Sequence, residues 1–128
     1  MWRSPASIVM SNGILDSFFY LDGGNGEIKF CMKPGNTYRV SADVYVPSVT
    51  GLVPDSDRGL KIVAFWKNNG RFYEKRSNAP LQTDVWEHLS VTFSLPPETT
   101  EAFIRLYIGF KEKGKFVCYD NILLEKID

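Results

Sequence analysis

Aromatic and charged side chains recur at alternate positions along two stretches of the sequence. Arg39, Asp43 and Tyr45 share one side of the first stretch if it is extended, and Arg105 and Tyr107 share one side of the second. Sugar binding needs flat aromatic faces for the apolar side of the pyranose ring, with polar groups beside them that bond its hydroxyls. If the chain has the sandwich fold considered below, these five residues are candidates to form such a carbohydrate-binding surface. The alternative is a solvated sheet face, on which aromatic and arginine side chains commonly pair across strands.

Two further aromatic residues, Trp66 and Tyr73, flank the dipeptide Asn69-Gly70. Asn-Gly favours a two-residue type I′ hairpin turn, because both central residues of that turn need positive φ. We therefore expect Trp66 and Tyr73 at the rim of the binding surface. Trp66 also continues an alternating apolar run, so a place in the core is an equal alternative for it.

The sequence has no evident motif of a catalytic centre. His88 is its one histidine, and a single histidine without a paired ligand seldom marks a metal site. Neither a Gly-x-Ser-x-Gly elbow nor a cysteine–histidine pairing is evident. A pair of carboxylates could still cleave glycosides, but a sandwich of this size rarely encloses the cleft that such chemistry needs. We expect a binding protein rather than an enzyme.

Length and charge narrow the classes of partner. The 128 residues suit a single domain over 1–128. Because 15 Lys and Arg balance 15 Asp and Glu, there is no long-range attraction to nucleic acid or anionic lipid. No stretch approaches the ~20 apolar residues of a membrane span, and the first residues lack the apolar core of a secretory signal. We expect an intracellular protein, a piece of a secreted protein, or a component of a particle released by lysis.

Short stretches with a period of two dominate the sequence, and Gly, Pro and Asn separate them. In the clearest stretch Val40, Ala42 and Val44 share one side, and in another Leu89 and Phe93 do so. This pattern favours an all-β sandwich or barrel in which one side of each strand faces the core. The nine predicted strands are residues 7–11, 17–21, 27–32, 37–46, 59–67, 71–77, 86–95, 102–111 and 115–127.

Two cysteines, Cys31 and Cys118, both lie in strand-like stretches. One interpretation is a disulfide between them. The other is a pair of buried free thiols, which we favour because burial is the usual environment of cysteine.

Three segments of the chain have a familiar pattern: Pro34–Ala42, Trp86–Phe93 and Val117–Glu125. In their order and spacing they resemble carbohydrate-binding modules of the family 4/9/22 type, over about residues 27–127. The resemblance implies an antiparallel jelly-roll β-sandwich of about eight to nine strands in the wider galactose-binding-like class. It also implies that Trp86, at the start of its strand, is buried in the core.

The first part of the sequence departs from the family pattern. Asn12–Asp16 is similar to the family's opening strand, but the stretch from there to Pro34 is too short for the usual strands. We therefore expect the first strand to be missing or donated by another chain. By the same resemblance, Asp120 and Asp16 are candidates to hold a structural calcium ion through their carboxylates. The alternative for Asp120 is a hydrogen-bond acceptor in a turn or across strands.

Two functions remain open. The first is a non-catalytic module that recognises a glycan through the outward residues Arg39, Asp43, Tyr45, Arg105 and Tyr107, with Trp66 and Tyr73 at the rim. The second is a structural phage virion protein, either a capsid decoration or a tail module, whose partner is a protein surface of a larger assembly. An open sheet edge would suit the second function, because it invites strand addition from a neighbour or a homo-oligomer.

Overall fold

The computed structural model describes residues 8–11, 14–15, 21–22, 25–28, 32–48, 61–107 and 116–127, the first four segments and residue 116 as backbone only. These residues form ten strands, against nine predicted, and two of the ten have only two residues. The strands are β1 (Ile8–Ser11), β2 (Ile14–Leu15), β3 (Leu21–Asp22), β4 (Asn25–Ile28), β5 (Thr37–Tyr45), β6 (Ile62–Asn68), β7 (Arg71–Arg76), β8 (Trp86–Ser94), β9 (Thr99–Leu106) and β10 (Phe116–Ile127).

The strands pair in two antiparallel sheets of five. Sheet A has the order β2-β1-β10-β5-β8, and sheet B has the order β3-β4-β9-β6-β7. Without the two-residue strands β2 and β3, each sheet has four strands, and their connections follow the jelly-roll order. The predicted all-β, antiparallel jelly-roll β-sandwich is therefore confirmed.

The first strand is present, so the expectation that it is missing or donated by another chain is wrong. β1 pairs antiparallel with β10, with Ile8 opposite Tyr119 and Ser11 opposite Phe116. The stretch before Pro34 was expected to be too short for this strand. It is long enough because β1 and β4 have only four residues each. The chain itself thus covers the edge of β10 that the expectation left open.

Side chains from both sheets meet in one hydrophobic core. The alternation predicted for two central strands is confirmed, since Val40, Ala42 and Val44 in β5 and Leu89 and Phe93 in β8 are all buried. Ile104 and Leu106 in β9 and Ile62 and Ala64 in β6 bury the inner side of sheet B. Because one side of every central strand faces this core, its remaining side chains face outwards.

Trp86 is the exception among the predicted core residues, and its predicted burial is wrong. Half of the residue is exposed (50%). Trp86 lies two residues before the outward His88 and opposite the outward Tyr45, so it is on the outer side of β8. Leu89 and Val91 alternate with these positions and face the core. Local alternation therefore decides the side that Trp86 faces.

The turn at Asn69-Gly70 joins β6 to β7 as predicted. Asn69 has φ 52° and Gly70 has φ 78°, as a type I′ turn requires. A second positive φ, 52° at Asn121, lies in β10 where the register with β5 shifts between Asp120 and Leu123. This bulge adds a residue to β10 and turns the Asn121 side chain towards β5.

Candidate functional site

The predicted binding residues lie in three separate places, so they do not form one surface. Arg39, Asp43 and Tyr45 are on the outer side of sheet A, because they are in β5. Arg105 belongs to β9, and Tyr107 directly follows that strand, so both are on the outer side of sheet B. Alternation identified the outward side of each strand correctly, but the two strands belong to different sheets.

The outer side of sheet B has four neighbouring aromatic rings with one arginine over them, and we call this group the aromatic face. It comprises Phe65, Phe72, Phe103, Arg105 and Tyr107. Phe65 lies opposite Phe103 in the pairing of β6 with β9. Their rings are stacked at a centroid distance of 5.1 Å and an angle of 16°. Phe72 meets Phe103 edge-on at 6.1 Å, and Tyr107 lies 6.4 Å from Phe65.

Cationic side chains lie over these rings. The guanidinium carbon of Arg105 is 5.2 Å from the ring centroid of Phe65 and 5.4 Å from that of Phe103. Lys67 Nζ lies 5.4 Å from the centroid of Phe72, a residue that is 52% exposed. Each such contact contributes about 0.5–1 kcal/mol at an exposed site. They hold charged hydrogen-bond donors next to an apolar platform.

An exposed ion pair in β7 borders the aromatic face. Arg76 Nε and Nη2 donate to the two carboxylate oxygens of Glu74 at 3.0 and 3.3 Å. The hydrogen bond and the charge of Glu74 raise the pKa of Arg76. An exposed pair contributes little to stability, so its main effect is to fix the positions of two polar groups beside Phe72.

A buried hydroxyl fixes the backbone at Tyr107. The hydroxyl of Tyr119, a fully buried residue, donates to the backbone oxygen of Tyr107 at 2.7 Å. The backbone N–H of Tyr107 donates to the oxygen of Lys61 at 2.9 Å. Burial raises the pKa of Tyr119, so the hydroxyl keeps its proton and remains a donor. The end of β9 is thus tied to β10 and to the residue before β6.

Trp66 and Tyr73 stack on each other, but not on the aromatic face. Trp66 has the parity of the buried Ala64, and it packs against the core. Its ring lies between Tyr73, at 6.3 Å and 17°, and Phe93, at 6.2 Å and 12°. Of the two alternatives for Trp66, the structure therefore supports the core. The three stacked rings close the sandwich where β7 passes β8.

The outer side of sheet A has a second aromatic pair. Tyr45 and Trp86 face each other across β5 and β8 with a centroid distance of 5.5 Å. Two residue pairs further along, His88 Nδ1 lies 2.9 Å from Asp43 Oδ1. Arg39 forms an ion pair with Glu125 at 3.1 Å. Arg39, Asp43 and Tyr45 thus share a surface with residues from β8 and β10.

Asp84 supports this end of sheet A. Its backbone N–H donates to the oxygen of Val46 at 2.9 Å, and its carboxylate accepts from the backbone N–H of Ser48 at 3.0 Å. The bond from the Ser48 backbone lowers the pKa of Asp84, and the hydroxyls of Ser48 and Tyr45 lower it further. The loop before β8 is therefore tied to the residues that follow β5.

Sequence reasoning missed Phe65, Phe72, Phe103, Trp86 and His88. The sequence did contain a signal for two of them, because Phe65 and Phe103 alternate with the core positions of their strands. They were not singled out because phenylalanine is usually a core residue. The interpretation of Trp86 followed the family resemblance instead of its parity.

The structure does not test the calcium prediction. Asp16 lies outside the described residues, and within the described ranges no group of three or more His, Cys, Asp and Glu could hold a metal ion. Asp120 Oδ1 accepts a hydrogen bond from the backbone N–H of Asn121 at 2.8 Å. Asp120 thus accepts a local hydrogen bond at the bulge of β10, and neither a turn nor a cross-strand bond is involved in this contact.

Cys118 is a free thiol, as the favoured interpretation of the cysteines expects for this residue. It is partly buried, and burial raises its pKa. Cys31 lies outside the described residues. In the part of the chain that the structure describes, no helix is long and apolar enough to cross a membrane.

No protein-family model and no curated protein matches this sequence. Similar solved structures include the CBM22-1–GH10 modules of Clostridium thermocellum endo-1,4-β-D-xylanase 10B complexed with xylohexaose, with a TM-score of 0.60 and 11% identity over 81% of this chain and 19% of that one. A CBM4 structure has a TM-score of 0.59 and 11% identity, and the match covers 97% of this chain and 73% of that one. The enzymatically active domain of bacteriophage CBA120 tailspike protein 4 has a TM-score of 0.52 and 14% identity, and the match covers 94% of this chain and 15% of that one.

These similarities show that the fold is that of carbohydrate-binding modules, and that a phage tailspike shares it. The chain spans 19% of the xylanase chain, 73% of the CBM4 chain and 15% of the tailspike chain. At 11–14% identity, the likeness concerns the backbone and not the side chains that would bind a ligand.

Proposed function

We propose that this domain is a non-catalytic carbohydrate-binding module and that the aromatic face of sheet B contacts the glycan. The single observation that supports this most is the stack of Phe65 and Phe103 with Phe72 and Tyr107 around it, on the outer side of a sheet. Phe103 is only 7% exposed, so it supports the group from beneath, whereas Phe72 is 52% exposed and is the ring that a ligand would contact.

The chemistry of the aromatic face suits a sugar. Phe72 and its neighbours offer ring surface to the apolar side of a pyranose. Arg105 and Lys67, and the ion pair of Glu74 with Arg76 beside them, offer donors and acceptors to hydroxyl groups. The fold neighbours add a consistent precedent, since one of them is a xylanase module pair complexed with xylohexaose.

The second candidate function is a virion module whose partner is a protein. The tailspike similarity over 94% of this chain favours it, but a shared fold alone does not define a function. The argument from a missing first strand no longer applies, because β1 fills that place. The outer aromatic rings therefore make glycan binding the better supported of the two.

A glycan array, read together with light scattering after size exclusion, tests the proposal. We expect the wild-type chain to bind at least one class of glycan, and Phe72→Ala to weaken that binding about tenfold by removing a half-exposed ring. Leu81→Ala is the matched control, because Leu81 is 70% exposed but is not part of the aromatic face. Absence of any glycan binding, together with a defined oligomer, would contradict the proposal and support the virion module.

A further inference from the structure

The outer side of sheet A has a four-residue group that we call the Trp86 site: Tyr45, Trp86, Asp43 and His88. In the pairing of β5 with β8, Tyr45 lies opposite Trp86 and Asp43 lies opposite His88. The four side chains therefore form a two-by-two array, about 5 Å across the strands and about 7 Å along them. One row of the array is aromatic, and the adjacent row is polar.

The aromatic row exposes more apolar surface than the fold requires. Trp86 is 50% exposed, although it is the first residue of a nine-residue strand. Its ring packs against Tyr45 at 5.5 Å and 50°. A large ring that is fixed on one side and open on the other is a platform for a ligand.

The polar row is held in place before any ligand arrives. Asp43 accepts from His88 Nδ1 at 2.9 Å and from Asn121 Nδ2 at 3.0 Å. Because a carboxylate only accepts, the proton of the imidazole is on Nδ1, and Nε2 remains for another hydrogen bond. The side chain of His88 is 65% exposed, so Nε2 can meet a group from solvent.

A further contact fixes the backbone beneath His88. Asn78 Nδ2 donates to the His88 backbone oxygen at 3.1 Å, and Asn78 Oδ1 accepts from the Ser90 N–H at 3.2 Å. This side chain takes the place of a neighbouring strand at the edge of β8. The Trp86 site is thus built on a central strand and on an edge strand whose position is fixed.

We propose that the Trp86 site is a second carbohydrate-binding site, for a neutral pyranose that stacks on Trp86 and bonds through its hydroxyls to His88 and Asp43. The proposal rests on the proposed function for the class of ligand, but the site is independent of the aromatic face. The remainder of this side of sheet A favours a sugar over a protein, because Ser90, Thr92 and Ser94 continue the row with small hydroxyl groups, whereas protein interfaces bury large apolar residues at their centre.

The two sites face away from each other. Sheet A and sheet B share one core between them, so the Trp86 site and the aromatic face are on opposite sides of the sandwich. One molecule can therefore hold two glycan chains at once. Such bridging multiplies the strength of attachment to a polymer without any new contact.

Native electrophoresis in gels that contain xylan, mixed-linkage β-glucan, galactomannan or pectin tests this proposal through retardation of the protein. In the polysaccharide that retards the wild type, we expect Trp86→Ala and Phe72→Ala each to weaken binding about tenfold and the double variant to abolish it. Trp86→Phe should retain most of the binding at this site, and Leu81→Ala should bind like the wild type. Urea unfolding of each variant shows that it is folded.

The outcomes separate the two proposals. Unchanged retardation of Trp86→Ala with loss for Phe72→Ala overturns the Trp86 site and leaves the proposed function intact. The reverse pattern supports the Trp86 site and overturns the placement of glycan on the aromatic face. No retardation of the wild type in any of the gels overturns both. A dimer in light scattering that only Trp86→Ala dissociates overturns the Trp86 site alone.

A second readout measures bridging directly. The wild type should precipitate the soluble polysaccharide at a defined ratio, and either single variant should bind without precipitating it. Precipitation by Trp86→Ala that equals the wild type would overturn the inference of a second site.

Discussion

At the scale of single residues, one buried hydroxyl links the core to the aromatic face. Tyr119 is completely buried, yet its oxygen donates to the backbone of Tyr107. A buried polar group is tolerated only with a partner, and here the partner is a carbonyl at the end of β9 that would otherwise lack this bond. The same atom therefore stabilises the fold and positions a residue of the proposed binding surface.

Tyr119→Phe should lower the free energy of unfolding by about 1–2 kcal/mol, because it leaves the carbonyl of Tyr107 without this donor in a buried place. Urea denaturation measures the loss. Tyr73→Phe is the matched control, since Tyr73 is 44% exposed and stacks on Trp66 through its ring. Equal effects of the two substitutions would contradict a special role for the buried hydroxyl.

Alkaline pH provides a second test of the same residue. Burial raises the folded-state pKa of Tyr119 above its ordinary value of 10.0, so the folded protein holds this proton more tightly than the unfolded chain. The corresponding stability is complete below pH 10.0 and is lost as the pH rises towards the folded-state pKa. The wild type should lose up to about 1.4 kcal/mol more per pH unit than Tyr119→Phe in this window. Parallel profiles in urea unfolding would contradict the assignment.

At the scale of strands, the edge of sheet A is closed by a side chain. β8 is the last strand of its sheet, and an open edge invites pairing with another chain. Asn78 binds the backbone of β8 at His88 and Ser90, and the Glu87 carboxylate accepts from the N–H groups of Leu81 and Gln82. The segment before β8 is thus fastened along its edge.

Asn78→Ala should expose one donor and one acceptor of β8. We expect faster hydrogen exchange of the Ser90 amide, a loss of about 0.5–1 kcal/mol in unfolding free energy and a greater tendency to self-associate. Asn78→Asp is the comparison, because it retains the acceptor for Ser90 but replaces the donor to His88 with a negatively charged oxygen beside the His88 carbonyl. Unchanged exchange at Ser90 in Asn78→Ala would show that water replaces the amide at no cost.

Gly70→Ala tests the hairpin between β6 and β7. A Cβ at Gly70 would meet nothing within 4 Å, so any cost comes from the backbone conformation at φ 78°. We expect a loss of about 1 kcal/mol in urea unfolding. Asn69→Gly should be neutral or slightly stabilising, because glycine accepts the positive φ of that position. A larger loss in Asn69→Gly than in Gly70→Ala would contradict this explanation.

Sequence alternation predicted the inside and outside of most strands, for a local reason. Neighbouring residues of a strand point to opposite sides, so Val40 and Leu89 could be placed in the core and Tyr45 outside it. Trp86 follows the same rule within the predicted strand 86–95, and only the family resemblance placed it in the core. The hairpin at Asn69-Gly70 was predictable because its two residues tolerate positive φ.

At the scale of the whole molecule, the grouping of outward residues could not be predicted. Tyr45 and Tyr107 both face outwards, but they lie on different sheets because β5 pairs with β8 and β10, and β9 pairs with β4 and β6. Those pairings join residues far apart in sequence, and no local pattern determines them. The residues predicted to form one site therefore lie on opposite sides of one core, with Trp66 and Tyr73 apart from both groups.

Separation of the two faces predicts that substitutions on them act independently. Phe72→Ala and Trp86→Ala should each change the free energy of unfolding by no more than about 1 kcal/mol, because both rings are half exposed. In the double variant the two effects should add within about 0.5 kcal/mol. A larger deviation in urea unfolding would show that the faces are coupled through the core.

The position of β10 in sheet A has a consequence for synthesis of the chain. β10 lies between β1 and β5, so the strand made last joins strands made much earlier. On the ribosome, β1 and β5 therefore lack the strand that joins them until residues 116–127 have emerged. Sheet A is completed only at that point, and a chain halted before β10 leaves the core side of β5 uncovered.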